Sequence, residues 1–132
     1  MLIDTHAHLD YPDFANDLPA IIEAARAAGV TRIITIGTGV ESSRRALALA
    51  ERFENIHAVV GLHPTNVDDE KGDWLAEIRK LAAHPKVAAI GETGLDYHHL
   101  PSEKLASAPA ISALQAEMSQ ETEAAIIDGA YK

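Results

Sequence analysis

Near its N-terminus the chain reads Asp4-Thr5-His6-Ala7-His8-Leu9-Asp10, and two histidines in alternation are the first sign of chemistry. Successive side chains of an extended strand point to opposite faces, so His6 and His8 project together from one rigid element. Two imidazoles with Asp4 behind them make half of a divalent-metal site. A His-x-His pair alone also fits two histidines at a strand end, one satisfied by hydrogen bonds and one solvated. Three further polar clusters favour the metal: Gly37-Thr38-Gly39, Gly61-Leu62-His63-Pro64 and Gly91-Glu92-Thr93-Gly94-Leu95-Asp96-Tyr97. Glu92 is the natural carboxylate partner. It can bridge two cations that stabilise the attacking and leaving oxygens of an in-line displacement. The glycines around it imply close backbone approach rather than a routine surface turn.

His63 is held extended by Pro64 and can donate to a phosphate oxygen; the plainer role is that of a loop histidine. Asp96 and Tyr97 can orient a scissile group or order the segment after them. His57 lies within a strand pattern and reads as a packed histidine. His84, before Pro85, falls at a helix end, where a cation complements the dipole. His98 and His99 are adjacent loop residues that seldom face one ion together, and they are left out of the site.

The elements that must position these residues follow from hydrophobic periodicity. Strands are expected at residues 2–8, 32–37, 56–61 and 87–91. Between them, helices run from Asp17 as cap through Leu18, Ile21, Ile22 and Ala25 to a stop at Gly29, then over residues 41–53 and 74–83. Leu47, Ala50 and Phe53 share one side of the second helix, and Trp74, Ile78 and Leu81 one side of the third. Strands alternating with helices at this spacing indicate βαβ units and a parallel sheet. In such folds ligand sites gather at the carboxyl ends of the strands, where all four polar clusters fall. The backbone N–H groups of Gly37-Thr38-Gly39 are placed to approach a ligand there.

After Tyr97 the character changes. Residues 100–110 hold Pro101, Ser102, Ser107 and Pro109, a loop signal. A weakly amphipathic helix is expected at about residues 110–126, with Ile111, Leu114 and Met118 on one side, before a turn at Asp128-Gly129. This divides the chain into residues 1–99, four βα units, and a Pro/Ser/Ala/Glu-rich insertion at residues 100–132.

Composition bounds the chemistry. The 132 residues have the size of one domain, and 47% are hydrophobic, enough to bury a core. There is no cysteine, so any metal is held by His, Asp and Glu, a donor set that suits magnesium, manganese or zinc in a hydrolase. No basic n-region with a long apolar stretch opens the chain, and no run approaches the roughly 20 apolar residues of a membrane span. The expectation is a cytoplasmic protein without membrane contact. The net charge of −9 argues against broad adhesion to duplex nucleic acid, and leaves room for a nuclease that grips a short strand through bound cations.

The three motifs built around His6 and His8, His63, and Glu92 resemble, in order and spacing, the N-terminal signatures of the TatD-type metal-dependent deoxyribonucleases, within the amidohydrolase-like group. The likeness covers about residues 1–99. It implies a TIM (β/α)8 barrel of which this chain offers about the first four βα units. It implies His6, His8 and Glu92 as metal ligands, with Glu92 bridging two divalent ions and acting as the catalytic carboxylate. His63, Asp96 and Tyr97 would contact substrate. The family hydrolyses phosphodiester bonds of DNA, often from the 3′ end, and a metal-bound hydroxide would attack phosphorus. The expected substrates are DNA ends or short single strands.

A full barrel has eight strands and typically about 250 residues. The family takes two more histidines and a late aspartate from strands that are not found here. The expectation is therefore an incomplete portion, with weak metal binding and little turnover alone. Its open outer strands are sites for pairing with another chain, self-association included. Two rivals stand beside the nuclease: an amidohydrolase acting on an amide, ester or lactone, and a non-catalytic half-barrel module.

Overall fold

Strand and helix alternate as the periodicity requires. The computed structural model describes residues 1–96, and over them runs β1 (Leu2–Ala7), α1 (Leu18–Ala27), β2 (Val30–Ile36), α2 (Val40–Arg52), β3 (Ile56–Val60), α3 (Trp74–Ala82) and β4 (Val87–Ile90). Tyr97, His98, His99, the expected insertion and its helix lie outside the described residues.

Each helix has a local cause. Leu18 and Ile22 are the buried positions of α1, one turn apart, and Pro19 sits in its first turn, where a missing N–H costs nothing. Asp17 does occupy the N-cap position, but its side chain makes no capping bond, contrary to expectation. Its backbone has φ −118° and ψ 6°, whereas Asp73, which caps α3, has φ −86° and ψ 68°. Helix α1 stops before Gly29, whose φ of +94° suits a residue without a Cβ. Asp73 does cap α3, accepting the Ala76 N–H at 3.0 Å.

The four strands form one parallel sheet in the order β1-β2-β3-β4. Ile33 of β2 pairs in register with Ile56 of β3. Ile33, Ile56 and Ala58 pack against Leu18 and Ile22 of α1 and Ala46, Leu47 and Ala50 of α2. Val60 packs against Val40 of α2 and Ile78 of α3. Ile56, Ala58 and Val60 alternate along β3 and so share a face. All three helices therefore cover the same face of the sheet, as in a (β/α)8 barrel and unlike a doubly wound sheet. Ile56 and Val60 are fully buried, each contributing about 1.5–3 kcal/mol by area.

On β1, Ala7 packs against this core. His6 and His8 flank it in sequence and therefore point to the opposite face, the one that no helix among the described residues covers. The outer strands are open: the first five residues of β1 are exposed, and so are the last three of β4. No helix of the described residues is long and apolar enough to cross a membrane.

Candidate metal centre

Strands in a sheet lie 4.7–4.9 Å apart, so in a flat sheet β1 and β4 would stand roughly 14 Å from one another. Yet His6 Nε2, from β1, lies 2.8 Å from Glu92 Oε1, two residues past β4. The sheet is curled enough for its two edges to present side chains to one point. His6 and His8 present their rings together, with centroids 5.1 Å apart and planes at 78°. One donor atom from each of His6, His8 and Glu92 lies within 4.8 Å of the other two. Ligand bonds of about 2.0–2.2 Å to a single ion would draw such a set together.

The surroundings prepare these donors. His8 Nδ1 lies 3.0 Å from the Ile36 carbonyl oxygen, which only accepts, so Nδ1 carries the proton and Nε2 keeps its lone pair for a metal. Tyr11 stacks on the His8 ring at 5.1 Å and 22°. Asp4 is not a donor to this group. Its Oδ1 accepts the His6 backbone N–H at 3.0 Å and so shapes the strand from behind.

Close backbone contact brings Glu92 to His63. A Cβ on Gly61 would overlap the Gly91 carbonyl, and the Gly91 N–H donates to Val60 O at 3.0 Å. The ends of β3 and β4 touch because residue 61 is glycine. The Gly91–Glu92 peptide is cis. His63 Nε2 then lies 3.8 Å from Glu92 Oε2, placing the Glu92 carboxylate between two histidines. Asp96 is half-buried at the end of the described residues and outside the three-donor group.

The Gly37-Thr38-Gly39 turn departs from expectation. The Thr38 N–H is taken by Ser42 Oγ at 3.2 Å, and the Val40 N–H by Glu70 Oε1 at 2.7 Å. A carboxylate from the loop after β3 thus sits at the α2 N-terminus, where the helix dipole favours an anion. Cβ atoms would come within 2.5 Å of Ser43 at Gly37 and within 2.5 Å of Glu70 Oε1 at Gly39. These glycines admit the protein's own side chains; the ligand role assigned to the turn is replaced by a clasp.

That clasp joins three loops. The Ser42 hydroxyl donates to Asp10 Oδ2 at 2.7 Å, and Arg45 adds a bond at 3.0 Å. The Thr38 carbonyl accepts the His63 N–H and the Asn66 side-chain amide, both at 2.9 Å. Ser43, fully buried, accepts the Gly61 N–H at 3.1 Å. Sequence reasoning missed Ser42, Ser43, Asn66 and Glu70. The readable signal was two serines in the first turn of a helix, one of them in line with core-facing Ala46, Leu47 and Ala50.

The other histidines among the described residues stand apart. His57 lies half-buried on β3, and its pKa is pushed below the ordinary value by burial first, then by Lys86 and Arg32. His84 lies 3.2 Å from Glu51 through Nε2, and its Nδ1 accepts the Lys86 N–H.

Comparison with known proteins agrees with this geometry. A family model described as TatD related DNase matches residues 3–127. The chain is 45% identical over 98 residues to an uncharacterized metal-dependent hydrolase, YabD, of Bacillus subtilis, covering 74% of this chain and 38% of that protein. It is 37% identical over 121 residues to the 3'-5' ssDNA/RNA exonuclease TatD of Musicola paradisiaca, covering 89% and 46%. The crystal structure of YJJV, a TatD homolog from Escherichia coli, superposes with a TM-score of 0.69 at 36% identity, covering 77% of this chain and 39% of that one. The chain therefore spans less than half the length of these relatives. With the curled parallel sheet, the His-x-His strand and the Gly-Glu turn all in the matched region, the chain belongs to the TatD related DNase family.

Proposed function

We propose that this chain carries the N-terminal part of a metal-dependent phosphodiester hydrolase acting on ends of single-stranded DNA. Residues 1–99 would be the barrel portion and residues 100–132 an insertion. The observation that carries the reading is the convergence of His6, His8 and Glu92 donor atoms within 4.8 Å. The His8 tautomer supports it, since the Ile36 carbonyl frees Nε2 for a metal.

In this reading His6, His8 and Glu92 would hold the metal, with Glu92 the carboxylate that two divalent ions of magnesium, manganese or zinc would share. When bound, such ions neutralise charge developing on phosphoryl oxygens and lower the pKa of water. The protein's own share is orientation. Tyr11 and Ile36 fix the His8 ring, and His63 offers an N–H beside Glu92 to an anionic oxygen of the substrate. Asp96 and Tyr97 contact the strand. The name of the Musicola relative supports a single-stranded substrate. Further donors of the family's site would come from barrel strands beyond these four, and the chain alone is expected to bind metal weakly and turn over little.

The test is binding of a short oligothymidylate to the chain by calorimetry with and without Mn²⁺. Metal-dependent binding that Glu92→Gln and His63→Gln each weaken supports the nuclease reading. Hydrolysis of small lactones without oligonucleotide binding would favour the amidohydrolase. A metal-free stable dimer would favour an interaction module.

A further inference from the structure

His8 and His63 reach the site from the ends of β1 and β3, yet the inner nitrogens of their rings meet opposite partners. His8 Nδ1 faces a carbonyl, which only accepts. His63 Nδ1 faces the backbone N–H of Thr65 at 3.2 Å, which only donates, and the Thr65 hydroxyl at 2.7 Å. A ring nitrogen that accepts from an amide is the unprotonated one, so neutral His63 carries its proton on Nε2. The reverse tautomer would aim two N–H groups at each other.

The sequence His63-Pro64-Thr65-Asn66 builds this locally. Pro64 keeps its predecessor extended, and His63 has φ −65° and ψ 139°. From that conformation a side chain folds over the amide two residues on, as an Asp or Ser does at a helix N-cap. Here an imidazole is the cap of the short 3₁₀ turn Pro64–Asn66. Capping takes up Nδ1, and Nε2 is turned toward Glu92 Oε2, 3.8 Å away.

We propose that Thr65 is a positioning residue. With its backbone amide given to Nδ1 and its hydroxyl donating to Asn66 Oδ1, it fixes His63 as a proton-bearing donor beside Glu92 and keeps it out of the metal's ligand set. The two histidines are thereby sorted into different tasks before any ligand arrives: His8 offers a lone pair, His63 a proton. The His63 assignment rests on the proposed reading of the site, and Thr65 adds the group that enforces it.

The experiment is a long-range ¹H–¹⁵N spectrum of the imidazoles in the labelled 132-residue chain, metal-free, at a pH well above imidazole titration, with His63 assigned from His63→Gln. The expected result is an Nε2–H tautomer for His63 and an Nδ1–H tautomer for His8. Thr65→Pro, which removes the amide N–H, is expected to shift His63 toward a mixture of tautomers with His8 unchanged, whereas Thr65→Val, which keeps the amide, is expected to retain the Nε2–H tautomer. Added Zn²⁺ is expected to move the His8 Nε2 signal and leave the His63 nitrogens in place. An Nδ1–H tautomer for His63, a Thr65→Pro spectrum with His63 identical to the parent, or a Zn²⁺ shift of His63 as large as that of His8 would each overturn the proposal. Failure of Zn²⁺ to move any histidine, with both tautomers as stated, would sink the metal reading and leave the Thr65 assignment standing.

Discussion

Along β3 four of five residues are buried, whereas along β4 three of four are exposed, and β1 is exposed over its first five. The central strands take up packing: Ile33, Ile56, Ala58 and Val60 hold all three helices to one face. The outer strands carry the converging donors, with His6 on β1, His8 one residue past it and Glu92 two residues past β4. Of the three donors, His6 is exposed and His8 and Glu92 are half-buried. What joins the two regions is backbone. The Ile36 carbonyl at the end of β2 sets the His8 ring, and Gly61 at the end of β3 lets Gly91 close in.

This division can be broken by substitution. The largest expected effect is at the centre: Ile56→Ala should cost about 2–5 kcal/mol in urea unfolding, as for a buried aliphatic truncation. Ile90→Ala, at an outer position 62% exposed, should stay near about 0.5 kcal/mol. Equal losses at the two sites would erase the distinction. Next comes the joint between regions. Gly61→Ala pushes a methyl into the Gly91 carbonyl and should destabilise by about 1–3 kcal/mol, the usual cost of overpacking. The same variant should also shift the His63 and Glu92 resonances together; a shift of neither would mean that Gly61 does not couple them.

A smaller effect is expected at the clasp. Glu70→Ala removes the acceptor of the Val40 N–H and should cost about 0.5–2 kcal/mol, as for loss of a helix cap. If Glu70→Gln retains most of that stability, the hydrogen bond outweighs the charge at the helix end.

The smallest effect concerns acid. Burial, Lys86 and Arg32 lower the His57 pKa from its ordinary 6.5, so the unfolded chain takes up the proton more readily. The contribution of neutral His57 is full above about pH 6.5 and is lost as pH falls through that value toward the lower folded pKa. Unfolding curves of His57→Gln should show a flatter decline in this window. An unchanged slope would remove His57 from the account.

Much of this was legible from residue types. Periods of two and 3.6 located every strand and α-helix among the described residues to within two residues, because each buries a patterned face; the 3₁₀ turns at Pro12–Phe14 and Pro64–Asn66 were not foreseen. His6, His8 and Glu92 were legible because strand alternation and the rule of carboxyl ends placed them together without any knowledge of side-chain contacts. Asp17 was misread because a cap needs a backbone that aims the side chain at the next turn, as at Asp73 but not at Asp17, and composition does not report dihedral angles. The glycine turn was misread for a different reason. Glycine signals close approach but not what approaches, and here Glu70, 31 residues from Gly39 along the sequence, fills the place given to a ligand. Long-range polar partners such as Asp10 with Ser42 leave no periodic trace.

The central claim is that two opposite edges of one curled sheet build a single metal centre. Its most direct test is a calorimetric titration of the chain with Zn²⁺, in parallel with His8→Ala, Glu92→Ala and His84→Ala. The account predicts that His8→Ala and Glu92→Ala each lower affinity by more than about tenfold, at least the loss typical of outer-shell partners, while His84→Ala matches the parent. Binding that survives either loss, or that depends on His84, would contradict a centre shared between β1 and the end of β4.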